Sequence, residues 1–440
     1  MTALSIQDWT SLDDAQRAAV LRRPAQREAA SLLERAGRIV SDVRERGDAA
    51  LREYTERLDK VRLESFAVGA DEFAAAEAAL TDEQRAALRR AIDTVTRFHE
   101  QQRVAPLSIE TSPGVVCERM IVPLGAVGLY VPAGTAPLPS TAIMLAVPAR
   151  IAGCPVRVLC TPPRPDGTAD PAVLVAARLC GIEQVFKLGG AQAVAAMAYG
   201  TESVPKVDKI FGPGNAWVTA AKQIVAADAR GAALDMPAGP SEVLVIADHS
   251  ARPEFVAADL LAQAEHSEDA QVVLVTTSRE LATACIAEVE RQMAVLPRRA
   301  ITERSIAESR VLLVPDLATA LEVSNRYAPE HLILQVAAPR DWLPRVRNAG
   351  SVFLGAWTPE TMGDYCSGTN HVLPTYGHAR AYSGLGVIDF VKRITVQEVT
   401  PAGLADLGVT ARTLARLESL DAHANAVTVR LEAISRETGA

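Results

Sequence analysis

The sequence predicts an α/β protein made of two successive open, mainly parallel, Rossmann-like units, with an N-terminal helical segment and a C-terminal helical tail. Three observations carry that reading. Short β-prone runs alternate with helical stretches from Gly125 to Phe211, the pattern of a parallel sheet with crossover helices, and the alternation resumes at Glu242 and runs to Leu354. Between the two series, Pro237-Ala-Gly-Pro240 interrupts the pattern. At 440 residues, with 49% hydrophobic and 22% charged residues, the chain can bury more than one core and has an ordinary globular balance.

In chain order, residues 11 to 104 read as helices rich in Ala, Glu and Arg. Ser11-Leu-Asp-Asp offers an N-cap with an acid three residues on, and Thr81-Asp-Glu-Gln84 is a capping box that opens a helix running towards His99. His99 itself reads as a solvated helix-end residue. This region, 1–117, is expected to pack on the second α/β unit. The first unit, 118–236, contains the strand-like runs 125–131, 156–160, 184–188 and 209–211; the second, 237–385, contains 242–247, 271–276, 310–314, 331–335 and 351–354. In the tail, 386–440, Ile394–Val399 is strand-like. Leu414, Leu417 and Leu420 form one apolar stripe, and Val427, Leu431 and Ile434 form another after Asp421, a candidate N-cap. Stripes in so short a tail need another surface, and a second subunit could supply it.

The net charge of −8 argues against a nucleic-acid binder, because no basic stripe is available to displace counterions from phosphates. Six cysteines without a Cys-x-x-Cys pair fit reduced, mostly buried thiols of a cytoplasmic protein. The N-terminus shows no basic segment followed by an apolar one. The longest apolar run, Thr141 to Ala149, contains Pro148 and falls short of the ~18 residues of a membrane span. The expectation is a cytoplasmic protein with no nucleic-acid or membrane partner.

Ligands of doubly wound sheets lie beyond the carboxyl ends of the strands. Three glycine-bearing loops sit there in the first unit: Tyr130-Val-Pro-Ala-Gly134, Leu188-Gly-Gly-Ala-Gln192 and Phe211-Gly-Pro-Gly-Asn215. Helices begin directly after the second and third, so their N-termini suit a pyrophosphate. None is the G-x-G-x-x-G fingerprint, and tight turns account for the glycines at least as well.

In the second unit, Gln263 and His266 lie three apart, hence on one face, near the C-terminal end of a helix, an end that suits a cation. With a carboxylate from Asp364 they would form a borderline ligand set of the kind zinc accepts. Taken alone, Gln-x-x-His is more often a polar helix end. Tyr327-Ala-Pro-Glu330-His331 brings an acid and an imidazole together at a strand start. Adjacent strand residues point to opposite faces, so the two share a site only at an irregular strand entry, to which Pro329 is suited; a solvent-facing pair is the alternative. His371 lies in a glycine-rich loop of little charge. His249 and His378 read as turn histidines, and His423, in the first turn of the last helix, reads by itself as structural.

Together these pieces resemble one family, the histidinol dehydrogenases, NAD-linked enzymes that complete histidine biosynthesis. The resemblance runs through Tyr130–Ser140, Gly212-Pro-Gly-Asn215, Pro237-Ala-Gly-Pro-Ser-Glu242, Gln263-Ala-Glu-His-Ser-Glu-Asp-Ala-Gln271, Ala328-Pro-Glu-His-Leu332, Gly363–Thr375 and His423-Ala-Asn-Ala-Val427. It implies one Zn2+ per subunit held by Gln263, His266 and Asp364 with His423 from the partner of a homodimer, which would explain the unburied tail. It implies Glu330 and His331 as the acid/base pair, Ser241, His371 and Glu418 around the substrate L-histidinol beside the metal ligands, and Tyr130, Gln192 and Asn215 on NAD. Glu418 and His423 are five apart, so a helix break near Asp421 is needed for both to serve one site. Ala133 and Leu138 depart from the family pattern, which often has Gly and Tyr there.

The implied chemistry suits these residue types. Removing an alcohol proton and later activating water calls for bases near neutral pH, tasks for His331 and Glu330 in turn. Zinc would act as a template for the substrate imidazole and amine. The rivals are a related zinc and NAD dehydrogenase for another small polyol, a thiohemiacetal on Cys154 or Cys117, and a catalytically retired binding protein.

Overall fold

The run Glu242–Ala247 is buried at all six positions, as a strand covered on both faces must be. In the computed structural model, which describes residues 4–23, 29–133, 136–237 and 239–438, it lies between Gln271–Thr276 and His331–Gln335. The six-stranded sheet runs Ile6–Asp8, Arg310–Leu313, Gln271–Thr276, Glu242–Ala247, His331–Gln335, Ser351–Leu354, parallel throughout. A five-stranded parallel sheet precedes it in the chain, in the order Gln184–Lys187, Val156–Thr161, Ala126–Tyr130, Lys209–Phe211, Ala233–Leu234. Apart from the edge strand Ile6–Asp8, which the N-terminus adds to the six-stranded sheet, each sheet starts at an inner strand, winds outward one way and then returns to wind the other way, so each is a doubly wound unit with one switch point.

Strands that fill a core were legible; of those that do not, Ile394–Val399 in the tail was read and four were missed. Ile6–Asp8, Leu107–Ser112, Val115–Pro123 and Ala233–Leu234 are short or largely exposed or half-exposed, and the apolar runs of Val115–Pro123 are broken by Glu118-Arg119. Two of them redraw the expected segments. Residues 103–123 and 391–440 form a compact unit of their own, distinct from residues 1–102 and 124–390. Its antiparallel sheet is Val391–Val399, Val115–Pro123, Leu107–Ser112, followed by the helices Pro401–Leu417 and Asp421–Thr438. Residues 103–117 thus leave the N-terminal segment and 118–123 the first α/β unit, because Leu107–Ser112 pairs with Val115–Pro123, whose other ladder partner is the tail strand.

The N-terminal segment also packs differently from the expectation. Trp9, Leu12, Val20 and Leu21 join the second sheet's core. The longer helices cover the first sheet instead: Ile39, Val40 and Val43 pack with Val194, Val218 and Val225, while Phe73, Ala76, Ile92 and Val95 pack with Ile143, Leu145 and Val173. The second sheet's faces are already filled by its own helices, Pro253–Ala264 and Arg279–Met293 on one side and Leu317–Tyr327 on the other.

Local signals were read with mixed success. The Thr81–Gln84 capping box opens the helix Asp82–Glu100. The helix Asp14–Val20 is capped by Asp13 with Gln16 rather than by Ser11. His99 is fully buried, its Nδ1 2.8 Å from the Val95 carbonyl and its Nε2 3.4 Å from Asn370 Nδ2; the loop carrying Asn370 closes over a helix end that looks solvated in sequence. Asp421 is the first residue of its helix, and the break before it is made by Ser419 in the left-handed conformation at φ 58°. Gly134 of the first glycine loop and Ala238 of the 237–240 divide lie outside the described residues. Among those described, no helix is long and apolar enough to cross a membrane.

Candidate active site

The strands beginning at Glu242, Gln271 and His331 start at one edge of the second sheet, where Gln271 pairs with Glu242 and His331 with Val243. The helix Pro253–Ala264 brings the chain back to that edge, as every crossover between parallel strands must, and delivers Gln263 and His266 there. The cluster therefore forms at the amino edge of this sheet, opposite to the usual carboxyl-edge position.

Ala328 caps the helix Leu317–Tyr327 in the left-handed conformation, φ 55°, its amide donating to the Ser324 carbonyl at 2.7 Å. Pro329 follows, and this irregular entry turns Glu330 and His331 into one site. Both are buried, at 5% and 4% exposure. One residue of the neighbouring strand holds both: the Glu242 amide donates to Glu330 Oε2 at 2.9 Å, and its carbonyl lies 3.3 Å from His331 Nδ1. A proton on Nδ1 thus leaves Nε2 free to accept one; Nε2 has no hydrogen-bond partner, with Asp364 Oδ1 at 3.6 Å.

The helix Glu360–Tyr365 adds two carboxylates, Glu360 and Asp364, four apart and so on one face. Glu360 is 1% exposed; its Oε1 is 3.8 Å from His331 Nδ1 and its Oε2 has no partner. Burial works against a charged imidazole at His331, but Glu360, Glu330 and Asp364 outweigh it and hold the pKa well above the ordinary histidine value. Burial pushes Glu330 up to about 8 against the pull of His331, and raises Glu360 well above the usual range. Burial also opposes the Asp364 carboxylate, yet His331 and the neighbouring histidines keep its pKa low.

His266, Glu360 and Asp364 each present a ligand atom within 4.8 Å of the others. Gln263 is fully buried, and neither its Oε1 nor its Nε2 has a hydrogen-bond partner. An orphaned buried polar group costs about 1–3 kcal/mol, so a side-chain amide left this way fits a ligand waiting for its cation. Amide oxygen, imidazole and carboxylate together fit zinc. His266 faces solvent at the mouth, where desolvation by its neighbours, tempered by Asp364, lowers its pKa. His371 packs behind, Nδ1 2.8 Å from the Asp364 carbonyl and Nε2 3.3 Å from Thr141 Oγ1, with its pKa lowered by burial. Ser241 is half-buried and its carbonyl accepts from the Gln271 amide at 3.2 Å.

The predicted residues Ser241, Gln263, His266, Glu330, His331, Asp364 and His371 thus gather around one sheet edge. Glu418 and His423 belong to the compact unit of residues 103–123 and 391–440, at the end of the helix Pro401–Leu417 and in the first turn of Asp421–Thr438, and both are exposed. Sequence reasoning missed Glu360 and Glu242. Glu360 lies one helical turn before Asp364, a signal that becomes readable once helix Glu360–Tyr365 is known. The rival nucleophile Cys154 is buried, its thiol pushed up to about 11 by burial, so it offers no thiolate.

At the first sheet the expected nucleotide residues sit at the carboxyl edge, around the switch point between the Ala126 and Lys209 strands. The Tyr130 hydroxyl accepts from the Gly190 amide at 3.0 Å. Asn215 caps the helix Ala216–Ala227, its Oδ1 accepting from Trp217 and Val218 amides at 3.1 and 3.2 Å. Gln192 donates to Asp59 Oδ2 at 3.3 Å, while its own Oε1 is buried and unpaired. Gly212, at φ 123°, is required: a Cβ there would collide with the Tyr130 carbonyl.

Burial of Glu330 has a measurable consequence. Its folded pKa, about 8, lies above its ordinary 4.5, so the folded chain holds that proton more firmly than the unfolded one. The resulting stabilisation is complete below the ordinary value and is lost as pH rises through the folded one. Glu330→Gln keeps an acceptor for the Glu242 amide without a charge. It should melt a few degrees above the unsubstituted protein at pH 9, with the gap closing towards pH 5; a gap independent of pH would refute the assignment.

Fold and site together define a doubly wound α/β protein with a buried acid–imidazole pair set against metal-type ligands. A sequence model of the family described as histidinol dehydrogenase matches residues 21–431. Histidinol dehydrogenase of Xanthomonas axonopodis pv. citri is 58% identical over 428 residues, covering 97% of this chain and 99% of that one. The Vibrio cholerae protein of the same name is 53% identical, over 97% and 98%. A crystal structure of histidinol dehydrogenase from Elizabethkingia anophelis superposes with a TM-score of 0.93 at 44% identity, covering 98% of each chain. The chain belongs to the histidinol dehydrogenase family and is an oxidoreductase.

Proposed function

We propose that the protein oxidises L-histidinol to L-histidine through L-histidinal, in two successive two-electron steps that close histidine biosynthesis in the cytoplasm. The observation that carries this reading is the buried Glu330–His331 pair, held by the Glu242 backbone beside His266, Glu360 and Asp364. When bound, NAD accepts the hydride of each step and zinc fixes the substrate imidazole and amine in register. Gln263, His266 and Asp364, with His423 of a second subunit, would hold the metal. Tyr130, Gln192 and Asn215 would hold NAD.

In the first step the neutral form of His331 takes the hydroxyl proton of the alcohol at Nε2, its ring oriented by the Nδ1–H donated to the Glu242 carbonyl, and the carboxylates that raise its pKa stabilise the imidazolium so formed. In the second, Glu330 takes a proton from the water that adds to the aldehyde carbon. As the water adds, His331 returns its proton to the aldehyde oxygen, which completes the hydrate and leaves the imidazole neutral, and it then takes the hydroxyl proton of the hydrate as the second hydride leaves. With a pKa of about 8, Glu330 changes charge close to the working pH, as a general base must. Ser241, His371 and Glu418 would bind the polar groups of the substrate. The dimer explains the exposed Leu414 and Leu417, at 55% and 77%, as a surface that a second subunit buries.

NADH formed per L-histidinol consumed, with and without a zinc chelator, tests this reading. Two NADH per substrate, abolished by chelation and restored by zinc, is the expected result. A folded, zinc-replete protein that forms no NADH from histidinol would send the reading to another small alcohol.

A further inference from the structure

Arg23 belongs to neither the strands nor the loops that carry the candidate catalytic groups, yet it reaches the residue that holds them. Its Nε lies 2.5 Å from Glu242 Oε2 and its Nη2 2.7 Å from Oε1, a two-armed grip on one carboxylate. Nη2 also donates to the Tyr327 carbonyl at 2.8 Å, and the guanidinium stacks 3.9 Å from the centre of the Tyr327 ring. The Tyr327 hydroxyl lies 3.2 Å from Glu242 Oε2 and donates to Gln271 Oε1 at 2.8 Å. The ion pair is buried, with side-chain exposures of 11% for Arg23 and 2% for Glu242.

The two ends of Glu242 point to different tasks. Its side chain is held by Arg23 and Tyr327; its amide and carbonyl are the groups that hold Glu330 and His331. Tyr327 is in turn the last residue of the helix whose exit loop leads into Glu330. Arg23 therefore clamps, through one guanidinium, both strand entries between which the acid–imidazole pair is suspended.

We propose that Arg23 is a positioning residue: its fork on Glu242 and its stack on Tyr327 fix the Glu242 backbone where it aligns Glu330 and His331 for proton transfer. The claim rests on the histidinol-oxidising reading above. Misplacing a reacting group by ~1 Å costs about 100-fold in rate, so loss of the clamp is felt in turnover even though Arg23 touches no substrate. Lysine offers a point charge without the fork and cannot reproduce the geometry. Without any cation, the Glu242 carboxylate is left buried and unpaired.

Arg23→Ala and Arg23→Lys, with Arg22→Ala as an exposed neighbour control, test this in the zinc-loaded full chain. Arg23→Ala is expected to lower kcat by about 10- to 100-fold, to change KM for histidinol by less than about threefold, and to regain turnover when guanidinium is added. Arg23→Lys should lose about tenfold in kcat with normal zinc content and no guanidinium rescue. Unchanged kcat in Arg23→Lys, or a folded Arg23→Ala with reduced kcat that guanidinium does not restore, overturns the proposal. Should Arg23→Ala fail to fold, the lysine variant decides. A second readout needs no turnover: the 15N–1H imidazole resonances of His331 should shift in Arg23→Lys and stay in place in Arg22→Ala. Unmoved resonances in Arg23→Lys overturn the clamp, whereas an unsubstituted protein inactive on histidinol overturns only the reading beneath it.

Discussion

Replacing His331 with asparagine is expected to lower kcat for histidinol oxidation by about 100- to 10,000-fold, the range that removal of a general base commands. Asparagine can still donate to the Glu242 carbonyl, which now lies 3.3 Å from the imidazole Nδ1. What it lacks is a basic atom at the Nε2 position, the unpartnered end of the ring near Asp364. The loss should fall on kcat rather than on KM, because the predicted metal ligands that seat the substrate remain. Zinc content by atomic absorption and NADH formation by absorbance settle the point together. A variant that keeps its zinc and turns over within tenfold of the unsubstituted enzyme would remove His331 from the mechanism.

A second large effect should come from mixing two crippled chains. His423→Ala and Glu330→Gln homodimers should each be nearly inactive, the first for want of a metal ligand and the second for want of a base. If His423 serves the other subunit's site, a heterodimer has one site with both defects and one with neither. Random reassociation of equal amounts should then restore about a quarter of the full activity, since half of the dimers are mixed and each has one good site. If His423 serves its own chain, every site in the mixture carries a defect and activity stays at the level of the parents. The exposure of Glu418 and His423 in the tail helices, and of Leu414 and Leu417 beside them, favours the first outcome.

The parts of the fold that could be read without coordinates are those governed by local composition. Nine buried or half-buried parallel strands announced themselves as apolar runs between helical stretches. Leu107–Ser112 and Val115–Pro123 did not, since strands with one or both faces open carry polar residues that mask the period. Locally, Glu330-His331 and Gln263-x-x-His266 read as well as a solvent-facing pair and a polar helix end; the family resemblance singled them out, and the left-handed Ala328 before Pro329 and the return of helix Pro253–Ala264 bring them to one sheet edge. His99 misled, because a polar residue at a helix end looks solvated until a distant loop covers it.

Glu242, Arg23 and Glu360 were beyond reach for a different reason. Glu242 opens an ordinary buried strand, and its importance comes from strand pairing that sets its backbone against Glu330 and His331, 88 and 89 residues away. Arg23 meets that carboxylate across 219 residues. Residue types, spacings and periodicities are short-range quantities; they marked most of the segments that form strands and, joined into a family resemblance, named candidates for proton transfer and metal binding. Which sheet edge those side chains occupy, which backbone groups aim them and which carboxylates raise the affinity of His331 for a proton are long-range quantities. Only the register of parallel strands, with a crossover returning each helix to the amino edge, brings those groups within a few ångströms of one another.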